Sequence, residues 1–233
     1  MSPIRSVPDG LGLIWTLAEK DLRIEFRSRQ AFFTTLFFSF LILMVFSFAF
    51  DPASEATRKA APGILWVALI FPGVIQLNRS FQSEREDGTL LGILVSPMDR
   101  GLIFFGKFLA NWIFLLAVDL LTLAIFMVIF KFSLTASTLW MLLLILLSSL
   151  GFSAVGTLFG AMVSSIRTRE VLLPILLFPI VIPVILAAVN GSTEVLLEEK
   201  FRFLFQWIKI LAAFDVIFLA ASYLVFEYVV EES

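Results

Sequence analysis

The sequence predicts an all-α polytopic membrane protein with six transmembrane helices. Hydrophobic residues make up 60% of its 233 positions and charged residues only 15%, so the chain carries more apolar surface than one soluble core can bury. The apolar residues are gathered in six runs, each near the roughly 20 residues that cross a bilayer. Short connections separate the runs, which favours one transmembrane domain over residues 1–233.

The predicted spans are residues 31–50, 61–77, 105–130, 139–163, 171–189 and 207–228. The fifth contains Pro174, Pro179 and Pro183, and each proline removes a backbone donor. We therefore expect this span to be kinked or broken.

After the fifth span, apolar residues recur at helical spacing and predict a short amphipathic helix within residues 190–206 on the outer surface. They are Leu197, Phe201, Leu204 and Phe205. The tripeptide at 190–192, Asn-Gly-Ser, is interpreted as a turn that ends in a helix-start serine.

Placement of the 17 Lys and Arg residues predicts the orientation of the chain. With a cytoplasmic N-terminus, 11 lie on the cytoplasmic side: Arg5, Lys20, Arg23, Arg27, Arg29, Arg79, Arg85, Arg100, Lys107, Arg167 and Arg169. The remaining 6 lie outside: Arg58, Lys59, Lys131, Lys200, Arg202 and Lys209. Both termini are therefore predicted to be cytoplasmic.

Residues 11–30 predict an amphipathic helix at the cytoplasmic interface, ahead of the first span. One face carries Ile14, Ala18, Leu22 and Phe26, and another carries Lys20, Arg23 and Arg27. The alternative is that this segment is only a charged anchor that sets topology.

Several classes of function are disfavoured by composition. There is no Cys and no His, so we expect no metal site and no catalytic residue that depends on either side chain. No phosphate-binding P-loop is present, so ATP hydrolysis would reside in a partner. A net charge of −2 gives no support for nucleic-acid binding.

Two acidic residues fall inside predicted spans, Asp119 in the third and Asp215 in the sixth. Intramembrane acids are functional candidates by default. Our interpretation is that each faces a helix interface and bonds a Ser, Thr or backbone group, because a proton pathway needs a chain of polar groups. Gly156 and Gly160 form a small-residue stripe that predicts close helix packing.

Tryptophans near the predicted span ends are interpreted mainly as an interfacial belt, with an apolar substrate route as the alternative. They are Trp15, Trp66, Trp112, Trp140 and Trp207.

The connection between the second and third spans predicts a short helix on the cytoplasmic side within residues 84–97. Its charged start is followed by a Gly-Thr helix cap, an apolar turn and a terminating proline. The residues concerned are Glu84, Arg85, Glu86, Asp87, Gly88, Thr89, Leu90, Leu91, Leu94 and Pro97. An apolar helix too short to span a membrane needs lipid or a protein groove to cover it.

This segment resembles the coupling helix of ABC-2-type exporter permeases, with Glu84, Gly88, Thr89, Leu90, Ser96 and Pro97 matching. Together with residues of the second and third spans, it resembles the cytochrome c maturation protein B family, CcmB. Those further residues are Ala61, Pro62, Gly63, Trp66, Arg79, Lys107 and Trp112. Two departures are Leu91, where the wider class commonly has an acid, and the extension over residues 1–10.

The resemblance implies an ABC-2-type permease in the bacterial cytoplasmic membrane that dimerises and pairs with the ATPase subunit CcmA. It also implies assembly with CcmC and CcmD, and release of the haem-loaded chaperone CcmE after ATP hydrolysis. The chain would bind no cofactor directly, ATP and Mg²⁺ would be bound by the ATPase, and the complex would handle haem. The lack of His and Cys fits a mechanical role, because the usual haem ligands are missing.

Four other readings stay open. A permease for another substrate would share the coupling helix, whereas a membrane scaffold would not need it. A secondary transporter would show paired broken helices in two repeated halves. An intramembrane enzyme would need a nucleophile and base, and no such pair is evident.

Overall fold

The computed structural model describes residues 10–27, 29–51, 54–86, 99–133, 138–164, 166, 168–198 and 201–231. These residues form seven α-helices and no β-strand. The helices are α1 (Gly10–Arg27), α2 (Gln30–Ala49), α3 (Glu55–Glu86), α4 (Arg100–Ile129), α5 (Thr138–Val163), α6 (Arg169–Thr193) and α7 (Leu204–Glu231). Helices α2 to α7 are each long and apolar enough to cross a membrane, as predicted.

The third helix extends beyond its predicted span at both ends. The predicted second span is 61–77, whereas α3 covers Glu55–Glu86. Charged side chains limit the part of a helix that can lie in lipid, while the backbone hydrogen bonds continue past them. As a result, α3 carries the chain out of the membrane towards the coupling segment.

The predicted fifth span is one continuous helix, α6, so it is not broken, and the other outcome expected from its prolines, a kink, stays a prediction. Pro174, Pro179 and Pro183 all lie inside α6. It continues to Thr193 and is followed by a π-helical turn, Glu194–Glu198. The prediction of a separate outer helix within residues 190–206 was also wrong for the described residues. The end of α6 and its π-helical turn occupy residues 190–198, and α7 begins at Leu204.

Helix α5 lies at the centre of the bundle and packs against α4, α6 and α7. Most of its Gly, Ala, Ser and Thr residues are buried, and their small side chains allow the neighbouring helices to approach. By contrast, α2 and α7 lie at the periphery, and most of their membrane-spanning residues face outward. The main apolar core is formed between α3, α4, α5 and α6.

The predicted N-terminal amphipathic helix is α1, which packs lengthwise along the first half of α4. Gly10 approaches Leu102, Leu17 approaches Gly106, and the rings of Phe26 and Phe114 are 5.5 Å apart. A Cβ atom on Gly106 would lie 2.7 Å from Cβ of Leu17, so this glycine permits the close contact. We call the side of the bundle that carries α1, the end of α3 and the start of α4 the N-terminal side.

Candidate functional site

The predicted coupling segment lies mostly outside the described residues. Glu84, Arg85 and Glu86 form the end of α3, whereas residues 87–98 are not described. The coupling role predicted for Asp87, Gly88, Thr89, Leu90, Leu91, Leu94 and Pro97 therefore stays a prediction. The helix after the segment begins beside Asp99, whose side chain accepts a hydrogen bond from the backbone N–H of Gly101 at 2.8 Å.

An ion pair joins α1 to α4 just after this point. The Nζ atom of Lys107 lies 3.7 Å from Oδ2 of Asp21, and Lys20 lies 2.8 Å from Oδ1 of the same carboxylate. The Lys107 side chain is only 5% exposed. A buried ammonium needs an anionic partner, so Asp21 fixes the position of α1 along α4.

A second polar contact joins α1 to α2 and α3. The amide Nε2 of Gln76 donates to Oε2 of Glu25 at 2.6 Å, and the Thr35 hydroxyl lies 3.5 Å from the amide oxygen of Gln76. Burial raises the pKa of the Glu25 carboxyl, and the hydrogen bond from Gln76 and the charge of Arg79 oppose that rise. Together, the two contacts form what we call the α1 junction, namely Asp21, Glu25, Gln76, Arg79 and Lys107.

The motif residues that carried the family resemblance do not form one site. Arg79 and Lys107 lie at the α1 junction. Ala61, Pro62, Gly63 and Trp66 occupy the opposite part of α3, and no atom lies within 4 Å of a Cβ built on Gly63.

Two tryptophans expected in an interfacial belt are instead hydrogen-bonded between helices. The indole N–H of Trp66 donates to Ser192 at 2.9 Å, and that of Trp112 donates to Ser149 at 3.1 Å. Trp66 and Ser192 are both buried. Burial contradicts the belt interpretation for Trp66, whereas Trp112 is half-buried and its place in the belt stays a prediction. The predicted turn at 190–192 was wrong, because Ser192 lies in the last turn of α6.

The intramembrane acids lie at helix interfaces but lack the expected hydrogen bonds. Asp119 is 7% exposed and makes none with the described residues. Asp215 packs against Gly151 of α5, and its two oxygens accept no hydrogen bond of ordinary geometry from that part of the chain. Both acids are therefore unusual groups inside an apolar bundle.

The predicted glycine stripe is buried in α5, where Gly156 and Gly160 both lie. Leu77 of α3 packs directly on Gly156. The three atoms nearest to a Cβ built on Gly156 all belong to the Leu77 side chain, so this glycine makes room for that side chain.

One protein family matches almost the whole of this helical bundle. The sequence model described as "CcmB protein" matches residues 13–232, which includes all seven helices except the first residues of α1. The chain belongs to the CcmB family.

Individual relatives agree. The chain is 28% identical over 170 residues to "Heme exporter protein B" of Rhodobacter capsulatus, covering 73% of this chain and 78% of the relative. It is 28% identical over 183 residues to the protein of the same name from Pseudomonas aeruginosa, with 78% and 81% covered. The Haemophilus influenzae protein of that name is 27% identical over 173 residues, with 74% and 77% covered. This CcmB-family chain is thus a multi-pass bacterial membrane protein.

Sequence reasoning missed the partners of Lys107 and Arg79. Asp21 and Glu25 are spaced i,i+4, so they share one side of α1. Two acids on the same side of a helix that precedes a membrane span could have indicated a polar docking surface. No group of three or more Asp or Glu side chains suited to a metal ion lies among the described residues.

Proposed function

We propose that this chain is the membrane permease subunit of an ATP-driven complex that handles haem for cytochrome c biogenesis. The observation that carries the proposal is the family match over residues 13–232. Relatives that share more than two thirds of their length with the chain bear the name heme exporter protein B.

In this proposal, the segment over residues 84–97 enters a groove of a CcmA-type ATPase. The apolar residues Leu90, Leu91 and Leu94 would each contribute about 1.5 to 3 kcal/mol on burial, before ordering costs. Motion of the ATPase would then reach both α3 and α4, because the segment connects them. The ion pair between Asp21 and Lys107 would move α1 with α4.

The chain would act mechanically, as a homodimer that assembles with CcmC and CcmD. ATP hydrolysis would lead to release of the haem-loaded chaperone CcmE on the outer side. The chain itself would bind neither ATP nor Mg²⁺, and it has no His or Cys to act as a haem ligand. Both termini would face the cytoplasm, in accordance with the distribution of basic residues.

Complementation tests the proposal. The gene would be expressed, with a cognate ATPase, in a bacterium that lacks its own CcmB, and c-type cytochromes would be measured by haem staining. We expect the full chain to restore them. As a control, a variant with residues 87–98 replaced by a Gly/Ser linker of equal length should insert in the membrane but restore nothing. If the full chain binds the ATPase but c-type cytochromes stay absent, this chain is a permease that serves another substrate.

A further inference from the structure

A polar cleft lies at the end of the bundle opposite the N-terminal side, between the start of α3 and the end of α6. Its volume is about 570 Å³, which falls within the roughly 300–1,000 Å³ of small-molecule sites. It is lined by Glu55, Arg58, Lys59, Thr193 and Leu197. Four of these five residues have polar side chains, and we call the site the outer cleft.

The outer cleft carries a net positive charge. Arg58 and Lys59 contribute two positive charges and Glu55 one negative charge, so the described lining residues sum to +1. Basic residues of membrane proteins concentrate on the cytoplasmic side, and 6 of the 17 in this chain are predicted outside. Two consecutive basic residues in one outer cleft therefore favour an anionic ligand.

Arg58 has no anionic partner within the part of the chain that the structure describes. Its guanidinium group lies over the ring of Phe132, 5.5 Å from the ring centroid, and it makes no ion pair or hydrogen bond with those residues. The ring contact restricts where the group can lie. Since a guanidinium presents its N–H donors in a planar fork that matches phosphate oxygens, Arg58 is the main anion-binding group of the cleft.

Lys59 has capacity for a second partner. Its Nζ atom lies 2.7 Å from Oε1 of Glu55, one helical turn earlier, and both side chains are mostly exposed. Exposed ion pairs of this kind contribute little to stability, and an ammonium group has three donors. Lys59 can therefore bind an oxygen of the anion held by Arg58 without losing Glu55.

The cleft lies at the boundary of the membrane-spanning part of the bundle. The apolar run of α3 begins at Ala61, and Arg58 precedes it by three residues, or about 4.5 Å along a helix axis. On the other side of the cleft, Thr193 is the last residue of α6. This is the level at which a bilayer places its headgroups, since the hydrocarbon region ends where the apolar runs end.

We propose that the outer cleft binds the phosphodiester headgroup of an anionic phospholipid, with Arg58 and Lys59 on the phosphate oxygens. A headgroup with one negative charge matches the charge of +1 on the described lining. Leu197 is the one apolar side chain among those residues, which fits the glycerol part of a lipid and offers little to the large apolar face of haem. The bound lipid would connect the outer ends of α3 and α6. This inference goes beyond the proposed permease function and does not depend on it.

Lipid binding to the purified full chain in detergent tests the site, with native mass spectrometry to measure affinity and thermal unfolding to measure stabilisation. The probes are phosphatidylglycerol, the zwitterionic phosphatidylcholine and inorganic phosphate. We expect phosphatidylglycerol to bind more tightly than phosphatidylcholine and to raise the unfolding temperature, and phosphate at the same concentration to leave that temperature unchanged. Equal affinity for the two lipids, or an equal rise with inorganic phosphate, would overturn the assignment to an anionic lipid.

Substitution of Arg58 tests the location. Arg58→Gln should weaken phosphatidylglycerol binding on the order of tenfold, because it removes the main charge-assisted contact. The matched control is Arg202→Gln. Arg202 is also exposed on the predicted outer side and lies over a ring, 5.2 Å from the centroid of Phe203, but it does not line the cleft. Equal losses from both substitutions, or no loss from Arg58→Gln, would rule out the outer cleft as the lipid site.

A substitution that strengthens binding protects the experiment against misfolding. Glu55→Gln raises the charge of the described lining to +2 and releases Lys59 from its ion pair. We expect phosphatidylglycerol to bind about fivefold more tightly, in line with the effect of one added positive charge near a lipid surface. Unchanged or weaker binding by Glu55→Gln would contradict the proposal.

Discussion

Asp21 of α1 and Lys107 of α4 form an ion pair with 3.7 Å between Oδ2 and Nζ, at a point where the lysine side chain is almost fully buried. The pair connects the N-terminal helix to the helix that follows the predicted coupling segment. It also explains why α1 follows α4 over several turns.

Breaking this pair should release α1. Asp21→Ala removes the carboxylate that lies beside the buried Lys107 ammonium, and we expect a loss on the order of 2 kcal/mol, between the values for exposed and fully buried pairs. Limited proteolysis near Arg27 would detect the release. The exchanged pair Asp21→Lys with Lys107→Asp should recover protection in part, and equal protection in wild type and Asp21→Ala would contradict the role given to the pair.

The contact between α1 and α4 also depends on Gly106. A methyl group there would lie 2.7 Å from Cβ of Leu17 and 3.4 Å from the carbonyl oxygen of Ile14, so Gly106→Ala must displace α1. We expect destabilisation of about 1 to 3 kcal/mol, as for overpacked interfaces. Gly63→Ala is the matched control, because no atom lies within 4 Å of its new methyl group.

Thermal unfolding of both variants in detergent micelles would show the difference. Gly63→Ala should unfold at or above the wild-type temperature, since alanine favours helix over glycine. Similar destabilisation by both substitutions would mean that helix flexibility, and not contact with α1, is the reason for glycine at 106.

Glu25 should make the stability of the α1 junction depend on pH. Its pKa in the folded chain is raised above the ordinary value of 4.5, mainly by burial. At any pH between the pKa of the unfolded chain and that of the folded chain, the folded state therefore binds more protons than the unfolded state. Stability is therefore full below pH 4.5 and falls as the pH rises through the folded pKa. Glu25→Gln keeps an acceptor for Gln76 and should abolish this fall.

The measurement is the unfolding midpoint as a function of pH, with Glu19→Gln as the control. Glu19 lies on the same helix but is paired with Arg23 at the surface, and its substitution should preserve the wild-type profile. A wild-type midpoint that rises with pH while that of Glu25→Gln stays flat would contradict the assigned direction.

The six spans could be predicted because their signal is the length of each apolar run. Interactions between helices could not be predicted, since they depend on which faces meet. The indole N–H of Trp66 and the hydroxyl of Ser192 are 126 residues apart, yet they meet at 2.9 Å. Likewise, the prolines of α6 suggested a kink or a break, and the helix continues without a break. A helix inside a bundle can do so where neighbouring groups compensate for the lost donors.

The predicted orientation can be tested with single cysteines, because the natural chain has none. Ser54→Cys lies between α2 and α3 on the predicted outer side, and Glu227→Cys lies exposed near the end of α7 on the N-terminal side. An impermeant thiol reagent applied to intact cells should label the first and spare the second. Ser192, which is fully buried, is unsuitable for this purpose. Labelling of Glu227→Cys in intact cells would show that the predicted orientation is the wrong way round.

Co-purification of the cognate ATPase with Leu94→Asp is the decisive test of the proposal that the segment over residues 84–97 couples a partner ATPase to the membrane bundle. The substitution places a charge where an apolar contact is expected, while Leu139→Asp makes the same change at the exposed start of α5 on the other side of the bundle. We predict that Leu94→Asp inserts normally but loses the ATPase and c-type cytochrome assembly, and that Leu139→Asp keeps both. Retention of the ATPase and of full cytochrome assembly by Leu94→Asp would show that this segment does not couple the ATPase to the bundle.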